Sequence, residues 1–255
     1  MSSYGLWLSA AGMKVNQHHQ TILANNMANA HTTGFKHDLA VVTQRRIEGE
    51  STVGGYRFSH PVLDGLAGGL NVRPTYHDFA QGPIEWTGRP LDVAIDGGGF
   101  LAVSDGEATR YTRDGEFAIN TAGELVLAAG EGRWKVLDDN GAPIVLDETA
   151  GKVSVSDDGT IRQGRTVVAK LGLATTEDNQ SLRKVGENLF DAKDAEMVPV
   201  AGTFRPESRE RSNFNVMTGL ATMIEAARAY QLNATMLQLS DQLTGQAVNT
   251  VGRVS

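Results

Sequence analysis

Apolar residues that recur every seven positions at both ends of the chain constrain its fold more than any other feature. In residues 3–30 the repeat consists of Leu8, Val15 and Ile22. In residues 213–250 it consists of Val216, Met223, Tyr230 and Leu237, and Leu220, Ala227 and Ala234 follow the first three by four residues. Side chains at this spacing share one stripe of an α-helix and favour packing against another helix. The sequence therefore predicts a long helix at each end.

Both predicted helices carry a second apolar stripe. Near the N terminus it contains Leu6, Ala10, Met13, Ala24 and Met27, and near the C terminus Ala229, Leu232, Met236, Leu239 and Leu243. If the two helices pair with each other, one stripe of each is buried and the other is left for a neighbouring molecule. The alternative is that both helices cover the chain's own β-core. Ser212 or Asn213 is the predicted N-cap of the C-terminal helix.

A polar segment ends the first predicted helix. Residues 25–36 contain three asparagines, two threonines and one glycine, which are poor helix formers. Gly34 can adopt the left-handed conformation that closes a helix. The residues assigned to this helix-exit turn are Asn26, Asn29, Thr33, Gly34 and Phe35.

Between the predicted helices, residues 85–205 have the pattern of a small antiparallel β-domain. The predicted strands are 100–104, 116–119, 124–127, 134–137, 143–146 and 152–156. The predicted hairpin turns are Asp105-Gly106, Asp114-Gly115, Asn140-Gly141 and Asp158-Gly159, because glycine and asparagine accept a positive φ. The glycine-rich residues 48–84 are predicted to form an extended connector.

Charge and composition exclude several classes of protein. The chain carries a net charge of −7 and has no cysteine, which excludes disulfides, thiolate metal sites and a cysteine nucleophile. Residues 1–47 have a net charge of +3 and residues 206–255 of zero, so the remainder carries −10. This acidic balance argues against a nucleic-acid partner. Residues 5–13 are apolar but far shorter than the roughly 20 residues of a membrane span, and no basic segment precedes them as in a cleaved signal.

The sequence contains no recognisable catalytic constellation, and we expect neither a cofactor nor a bound metal. A metal site built from His18, His31 and His37 lacks the i, i+4 spacing of a helical zinc pair. A wall-cleaving hydrolase would need two carboxylates that face a cleft. Nothing in the pattern singles out Glu107, Glu116 or Glu124 for that role.

Three segments resemble the flagellar axial proteins, which are the rod and hook components of the bacterial basal body. The first is Ala24-Asn-Asn-Met-Ala-Asn-Ala-His-Thr-Thr-Gly-Phe-Lys36, and the second runs from Asn213-Phe-Asn-Val216 through Met223-Ile-Glu-Ala-Ala-Arg-Ala-Tyr230 to Asn233. The third, Gly88-Arg-Pro-Leu-Asp-Val-Ala-Ile-Asp-Gly-Gly-Gly-Phe100 followed by Tyr111-Thr-Arg-Asp-Gly115, is similar to that family's central β-domain. The resemblance covers nearly the whole chain in the right order.

The resemblance implies an α+β fold, with long N- and C-terminal helices in a coiled-coil-like layer and a central antiparallel β-domain. The implied division is a rod helix with its exit turn at 1–35, a connector at 36–85, the β-domain at 86–205 and the second helix at 206–255. The residues expected to form the assembly interface are Leu8, Val15, Ile22, Met27, Val216, Leu220, Met223, Ile224, Tyr230 and Leu237.

The family also implies a function: a structural, self-assembling, non-enzymatic subunit of the rod that supports motility. Its partners would be further copies, other rod and hook proteins and the flagellar export apparatus, without nucleic acid or membrane insertion. It would lie in the periplasmic part of the basal body, exported without a cleaved signal. A proximal and a distal rod type both remain open, as does a hook-type protein. Outside the family, a secreted β-domain enzyme or an adhesin is the alternative.

Overall fold

The computed structural model describes residues 3–44, 52–53, 56–57, 69–147, 150–192 and 195–251. The chain divides into two compact units. The helical unit contains Met1–Ala28, Asp38–Tyr76 and Asn215–Ser255, and the β-rich unit contains Asn29–His37 and His77–Phe214. The predicted α+β class is confirmed, with a helix near each end and an antiparallel β-rich region between them.

Two long helices dominate the helical unit. Helix α1 spans Ser3–Ala28 and helix α2 spans Val216–Val251, and they pack against each other. Gly12 of α1 lies directly against the side chain of Asn233 of α2, so that a Cβ atom on Gly12 would lie 3.0 Å from the Asn233 amide. Within the described residues, no helix combines the length and apolarity needed to cross a membrane.

Short strands accompany the helices. They are β1 (Asp38–Leu39), β2 (Val42–Gln44), β3 (Thr52–Val53), β4 (Tyr56–Arg57), β5 (Leu70–Val72) and β6 (Tyr76–His77). Strand β2 pairs antiparallel with β5, and β3 with β4. Much of the predicted connector, namely residues 48–51, 54–55 and 58–68, lies outside the described residues.

The start of α2 corrects one prediction. The N-cap is Asn215, whose Oδ1 accepts hydrogen bonds from the backbone N–H groups of Met217 (3.0 Å) and Thr218 (3.3 Å). The predicted caps, Ser212 and Asn213, were wrong because both lie in the β-rich unit and bind other groups. The Asn213 side chain, for example, accepts from the backbone N–H of His37 at 2.8 Å.

The described residues of the β-rich unit form sixteen strands, and the pairings among them are antiparallel. The first eight are β7 (Ile84–Trp86), β8 (Val93–Asp96), β9 (Phe100–Ser104), β10 (Thr109–Thr112), β11 (Phe117–Ile119), β12 (Leu125–Leu127), β13 (Lys135–Val136) and β14 (Val153–Val155). The others are β15 (Thr160–Gln163), β16 (Thr166–Lys170), β17 (Leu173–Thr175), β18 (Arg183–Gly186), β19 (Leu189–Asp191), β20 (Val198–Val200), β21 (Thr203–Pro206) and β22 (Ser208–Glu210).

One nine-stranded sheet organises this unit. Its order is β11-β12-β13-β9-β10-β19-β18, and β17 joins it by pairing with both β9 and β20. A separate three-stranded sheet has the order β14-β15-β16, while β8 pairs with β21 and β7 with β22. The last two pairings bring residues 203–210, which lead towards α2, alongside residues 84–96.

A single large apolar cluster holds these sheets together. Its aliphatic and aromatic side chains come from strands of both sheets and from the β8–β21 pair. The most completely buried members of the cluster are Val93, Ile95, Leu101, Val103 and Val136, each at 0% exposure. A smaller aromatic cluster contains Phe100 and Phe190, whose ring centroids lie 5.5 Å apart.

The predicted strands are confirmed with one exception, and the predicted turns also with one. Strand β9 matches its prediction, and β11, β12, β13 and β14 lie within theirs. Residues 143–146 form only isolated bridges at Pro143 and Val145 rather than a strand. Asp114-Gly115 is not a hairpin turn, because the strands on either side pair with other partners; the remaining three predicted turns place their glycines at positive φ.

Candidate assembly surfaces

The helical unit leaves two groups of large apolar side chains exposed on α2. The first patch comprises Val216 (38% exposed), Met217 (77%), Leu220 (46%) and Ile224 (46%). The second patch comprises Leu232 (68%), Met236 (57%), Leu239 (48%) and Leu243 (45%). A contiguous set of this kind is typical of a surface that binds another protein.

The covered side of α2 mixes small residues and an asparagine with larger side chains. Gly219 and Ala226 are buried, and Met223, Tyr230, Asn233 and Leu237 are half-buried. Their spacing alternates between four and three residues, so they form one stripe along the helix. The face towards the rest of the unit therefore differs from both patches.

The predicted interface residues divide between these environments. On α1, Ile22 is buried and Leu8, Val15 and Met27 are half-buried. On α2, Met223, Tyr230 and Leu237 lie on the covered stripe, and Val216, Leu220 and Ile224 belong to the first patch.

Asn26, which was assigned to the helix-exit turn, lies instead in the last turn of α1, where its side chain binds the backbone of the residue that begins β1. Its side chain is 1% exposed, donates to the Asp38 carbonyl at 2.8 Å and accepts from the Asp38 N–H at 2.9 Å. The buried side-chain amide thus has a partner for its NH2 group and a partner for its oxygen. A side chain that both donates and accepts is needed here, which explains the asparagine.

The helix-exit turn (residues 29–36) belongs to the β-rich unit and is held there by specific contacts. Asn29 accepts a hydrogen bond from Thr32, and the Thr33 hydroxyl donates to Glu116 at 2.6 Å. Gly34 has φ = 66°, so its predicted left-handed conformation is confirmed, but it does not close the helix, since α1 ends at Ala28. Its N–H donates instead to the Glu210 carbonyl at 2.7 Å. Phe35 is buried beneath the Lys184 ammonium, 4.3 Å from the ring centroid.

A buried ionic triad, Lys36, Arg113 and Glu210, lies next to this turn. The three residues are 0%, 4% and 1% exposed. Glu210 Oε1 accepts from Lys36 Nζ at 2.6 Å, and Glu210 Oε2 accepts from Arg113 at 3.1 Å. Burial lowers the pKa of Lys36, and the charge of Glu210 opposes that shift. Charges so deeply buried are tolerated only when they are paired and hydrogen-bonded.

Sequence reasoning assigned no role to this triad. Lys36 and Arg113 lie in segments that carry the family resemblance, but the third member comes from outside them. Lys36 and Glu210 are 174 positions apart, so no local spacing connects them. The only sequence signal is a lysine directly after an apolar residue in an otherwise uncharged turn.

Two of the three carboxylates considered for a hydrolase have structural partners. Glu116 accepts from Thr33, and Glu124 accepts from Asn120 and Lys135. Across the described ranges, no three His, Cys, Asp or Glu side chains lie where they could hold a metal ion together.

Comparison with known proteins identifies two family domains in the chain. Residues 94–163 match the "Flagellar hook protein FlgE/F/G D1 domain", and residues 207–250 match the "Flagellar basal body rod FlgEFG protein C-terminal" domain. The chain is 35% identical to the flagellar basal-body rod protein FlgF of Caulobacter vibrioides, over 92% of both chains.

Relatives of a second type match over a similar length. The chain is 32% identical to the flagellar basal-body rod protein FlgG of Buchnera aphidicola subsp. Acyrthosiphon pisum, over 93% of this chain and 96% of the relative. It is 31% identical to FlgG of Bacillus subtilis, over 96% and 97%. These matches extend through both helices and the β-rich unit.

Proposed function

We propose that this chain, which belongs to the flagellar basal-body rod protein family, assembles through the exposed faces of its terminal helices. It is a structural subunit of the bacterial flagellar rod. In this proposal α1 and α2 pack as a coiled-coil-like pair, and neighbouring copies cover the two apolar patches of α2. The subunit has no enzymatic activity, and its role is to support flagellum assembly and motility.

The observation that carries the proposal is that the two patches point in different directions. At 100° per residue, the centre of the second patch (Leu232 to Leu243) lies about a third of a turn around α2 from that of the first. One neighbouring helix cannot cover both. Two different contacts on one subunit are what a heterologous, head-to-tail interface requires, and such contacts generate open helical filaments.

The finer points of organisation and location are part of the same proposal. The functional segments would be residues 1–35, 36–85, 86–205 and 206–255, of which the first and last form the assembly layer. The partners would be copies of this chain, other rod and hook proteins and the flagellar export apparatus. We place the subunit in the periplasmic part of the basal body, exported without a cleaved signal and not inserted in a membrane.

Substitution within the second patch tests the proposal. Burial of one leucine side chain is worth roughly 1.5–3 kcal/mol, so Leu239→Asp should raise the protein concentration needed for assembly by at least tenfold. Gln238→Asp is the matched control, because it adds the same charge one position away at an exposed residue. Light scattering and sedimentation velocity as functions of protein concentration measure assembly.

The two variants separate the possible outcomes. We expect Leu239→Asp to stay monomeric at concentrations where the wild type and Gln238→Asp assemble, and to fail to restore motility to cells that lack the protein. If Leu239→Asp assembles like the control, the second patch is not an interface. Far-UV circular dichroism of each variant shows whether the helices are retained.

A further inference from the structure

Three carboxyl groups, Asp92, Asp114 and Glu116, form a compact cluster in the β-rich unit, beside the helix-exit turn. Asp92 is 1% exposed and Asp114 is 4% exposed. Asp92 accepts from Arg89 Nε at 2.9 Å and from the Thr87 hydroxyl at 2.7 Å.

Asp114 is the member of this cluster without a cation. Its carboxylate accepts from the backbone N–H of Glu116 at 3.0 Å. Among the described residues, no basic side chain forms an ion pair with it, although Arg113 is its neighbour in sequence. The guanidinium of Arg113 points elsewhere, donating to Glu210 at 3.1 Å and to the Gly97 carbonyl at 2.6 Å.

The positive charges that face the cluster do not balance its three carboxyls. Arg89 pairs with both Asp92 and Glu116, and its side chain is 58% exposed. Arg209 lies 3.8 Å from Glu116 but is shared with Glu85. The helix-exit turn contributes only the uncharged Thr33 hydroxyl, since the Lys36 ammonium is paired with Glu210. Burial, followed by the charges of Glu116 and Asp92, raises the pKa of Asp114 to about 7.

The cluster lies directly against the turn that follows α1. A Cβ atom on Gly34 would lie 2.4 Å from the carbonyl carbon of Arg113 and 2.8 Å from the backbone nitrogen of Asp114. Thr33 is bonded to Glu116 in the same cluster. Ionisation of Asp114 would therefore place a negative charge against the helix-exit turn, close to the carboxylates of Asp92 and Glu116.

We propose that the Asp114 carboxyl is a proton-binding site, and that loss of its proton loosens the contact between the helix-exit turn and the strands beneath it. The protonated carboxyl adds no third negative charge to the cluster. Ionisation introduces repulsion from Asp92 and Glu116 inside a site with little access to water. The stability of this junction is thereby linked to pH.

The direction of the linkage follows from the two protonation equilibria. In the unfolded chain Asp114 has an ordinary pKa of about 4, whereas in the folded chain it keeps its proton up to about pH 7. Between these values the folded state binds one more proton, so each unit of rising pH increases the unfolding equilibrium constant about tenfold. The stabilisation is fully present at acid pH and is lost as pH rises through the folded-state pKa.

The test is a carboxyl titration combined with unfolding measurements on the full-length chain. Carbon-13 NMR of the aspartate side chains, assigned through the backbone resonances of the wild type itself, gives the titration midpoint of Asp114 without the need for a folded variant. Urea unfolding between pH 5 and 7 is then compared for the wild type, Asp114→Asn and Asp157→Asn. Asp157 is an exposed aspartate and serves as the matched control.

We expect an Asp114 midpoint near neutral pH. The ratio of unfolding constants between wild type and Asp114→Asn should change about tenfold per pH unit, while the ratio between wild type and Asp157→Asn stays constant. Faster amide exchange at Gly34 in the wild type above pH 7, relative to Asp114→Asn, would locate the effect in the turn. A midpoint below pH 5 overturns the proposal even if Asp114→Asn does not fold, and so does an unfolding ratio independent of pH. Exchange at Gly34 that is the same in both proteins would rule out the coupling to the turn.

Discussion

Replacing Gly34 by alanine should destabilise the β-rich unit by more than a left-handed backbone alone can explain. Gly34 has φ = 66°, where an alanine costs about 1–2 kcal/mol. The added Cβ would also lie 2.4 Å from the backbone of Arg113, a contact that real Cβ atoms do not make. Moving the turn away adds about 1–3 kcal/mol of packing strain, and it weakens the 2.7 Å bond from Gly34 N–H to Glu210, worth about 1 kcal/mol. The expected loss is about 3–6 kcal/mol.

Gly141→Ala is the control that separates conformational strain from steric overlap. Gly141 also has a positive φ, 81°, but nothing lies within 4 Å of the position its Cβ would occupy. Its substitution should therefore cost only about 1–2 kcal/mol. Urea unfolding followed by the fluorescence of the buried Trp134 reports on this unit. If Gly34→Ala costs no more than Gly141→Ala, the turn adapts to a side chain and the reasoning from the Arg113 contact is refuted.

Three further perturbations test other contacts. Glu210→Gln leaves two buried cations without their carboxylate and should lower the free energy of unfolding in urea by about 3–5 kcal/mol. Glu85→Gln removes exposed ion pairs and should lower it by about 1 kcal/mol or less, so equal losses would contradict the burial argument. The hydrogen bond from the Trp134 indole holds the pKa of Glu187 below its usual value. The contact therefore persists above the ordinary glutamate pKa and is lost as pH falls through the lowered pKa of Glu187. Trp134 fluorescence emission should shift in acid in the wild type but not in Glu187→Gln. Asn215→Ala removes the N-cap of α2 and should cost about 1 kcal/mol, detected as faster amide exchange in the first turn with the rest of the helix unchanged.

Local pattern was sufficient for both helices and for strands β9 and β11–β14, whereas the strand predicted at 143–146, the turn at Asp114-Gly115 and the N-cap of α2 were wrong. The seven-residue repeats predicted both helices because helical geometry alone places residues at this spacing on one stripe. Gly34 was predicted at positive φ, and Asn140-Gly141 in a turn, because these residue types tolerate backbone conformations that others resist. The family resemblance rests on the same short segments.

Only the tertiary structure decided which groups meet. Lys36 and Glu210 share a buried ion pair although they are 174 positions apart, and no rule of spacing connects them. The same holds for Asp114, predicted as a turn residue: its raised pKa comes from burial and from the charges of Glu116 and Asp92, which depend on the folded surroundings. A repeat determines which side of a helix is apolar, but which apolar residues stay exposed depends on what the rest of the fold covers. Met223 is half-buried and Leu220 exposed for this reason, although the sequence placed both on the same stripe.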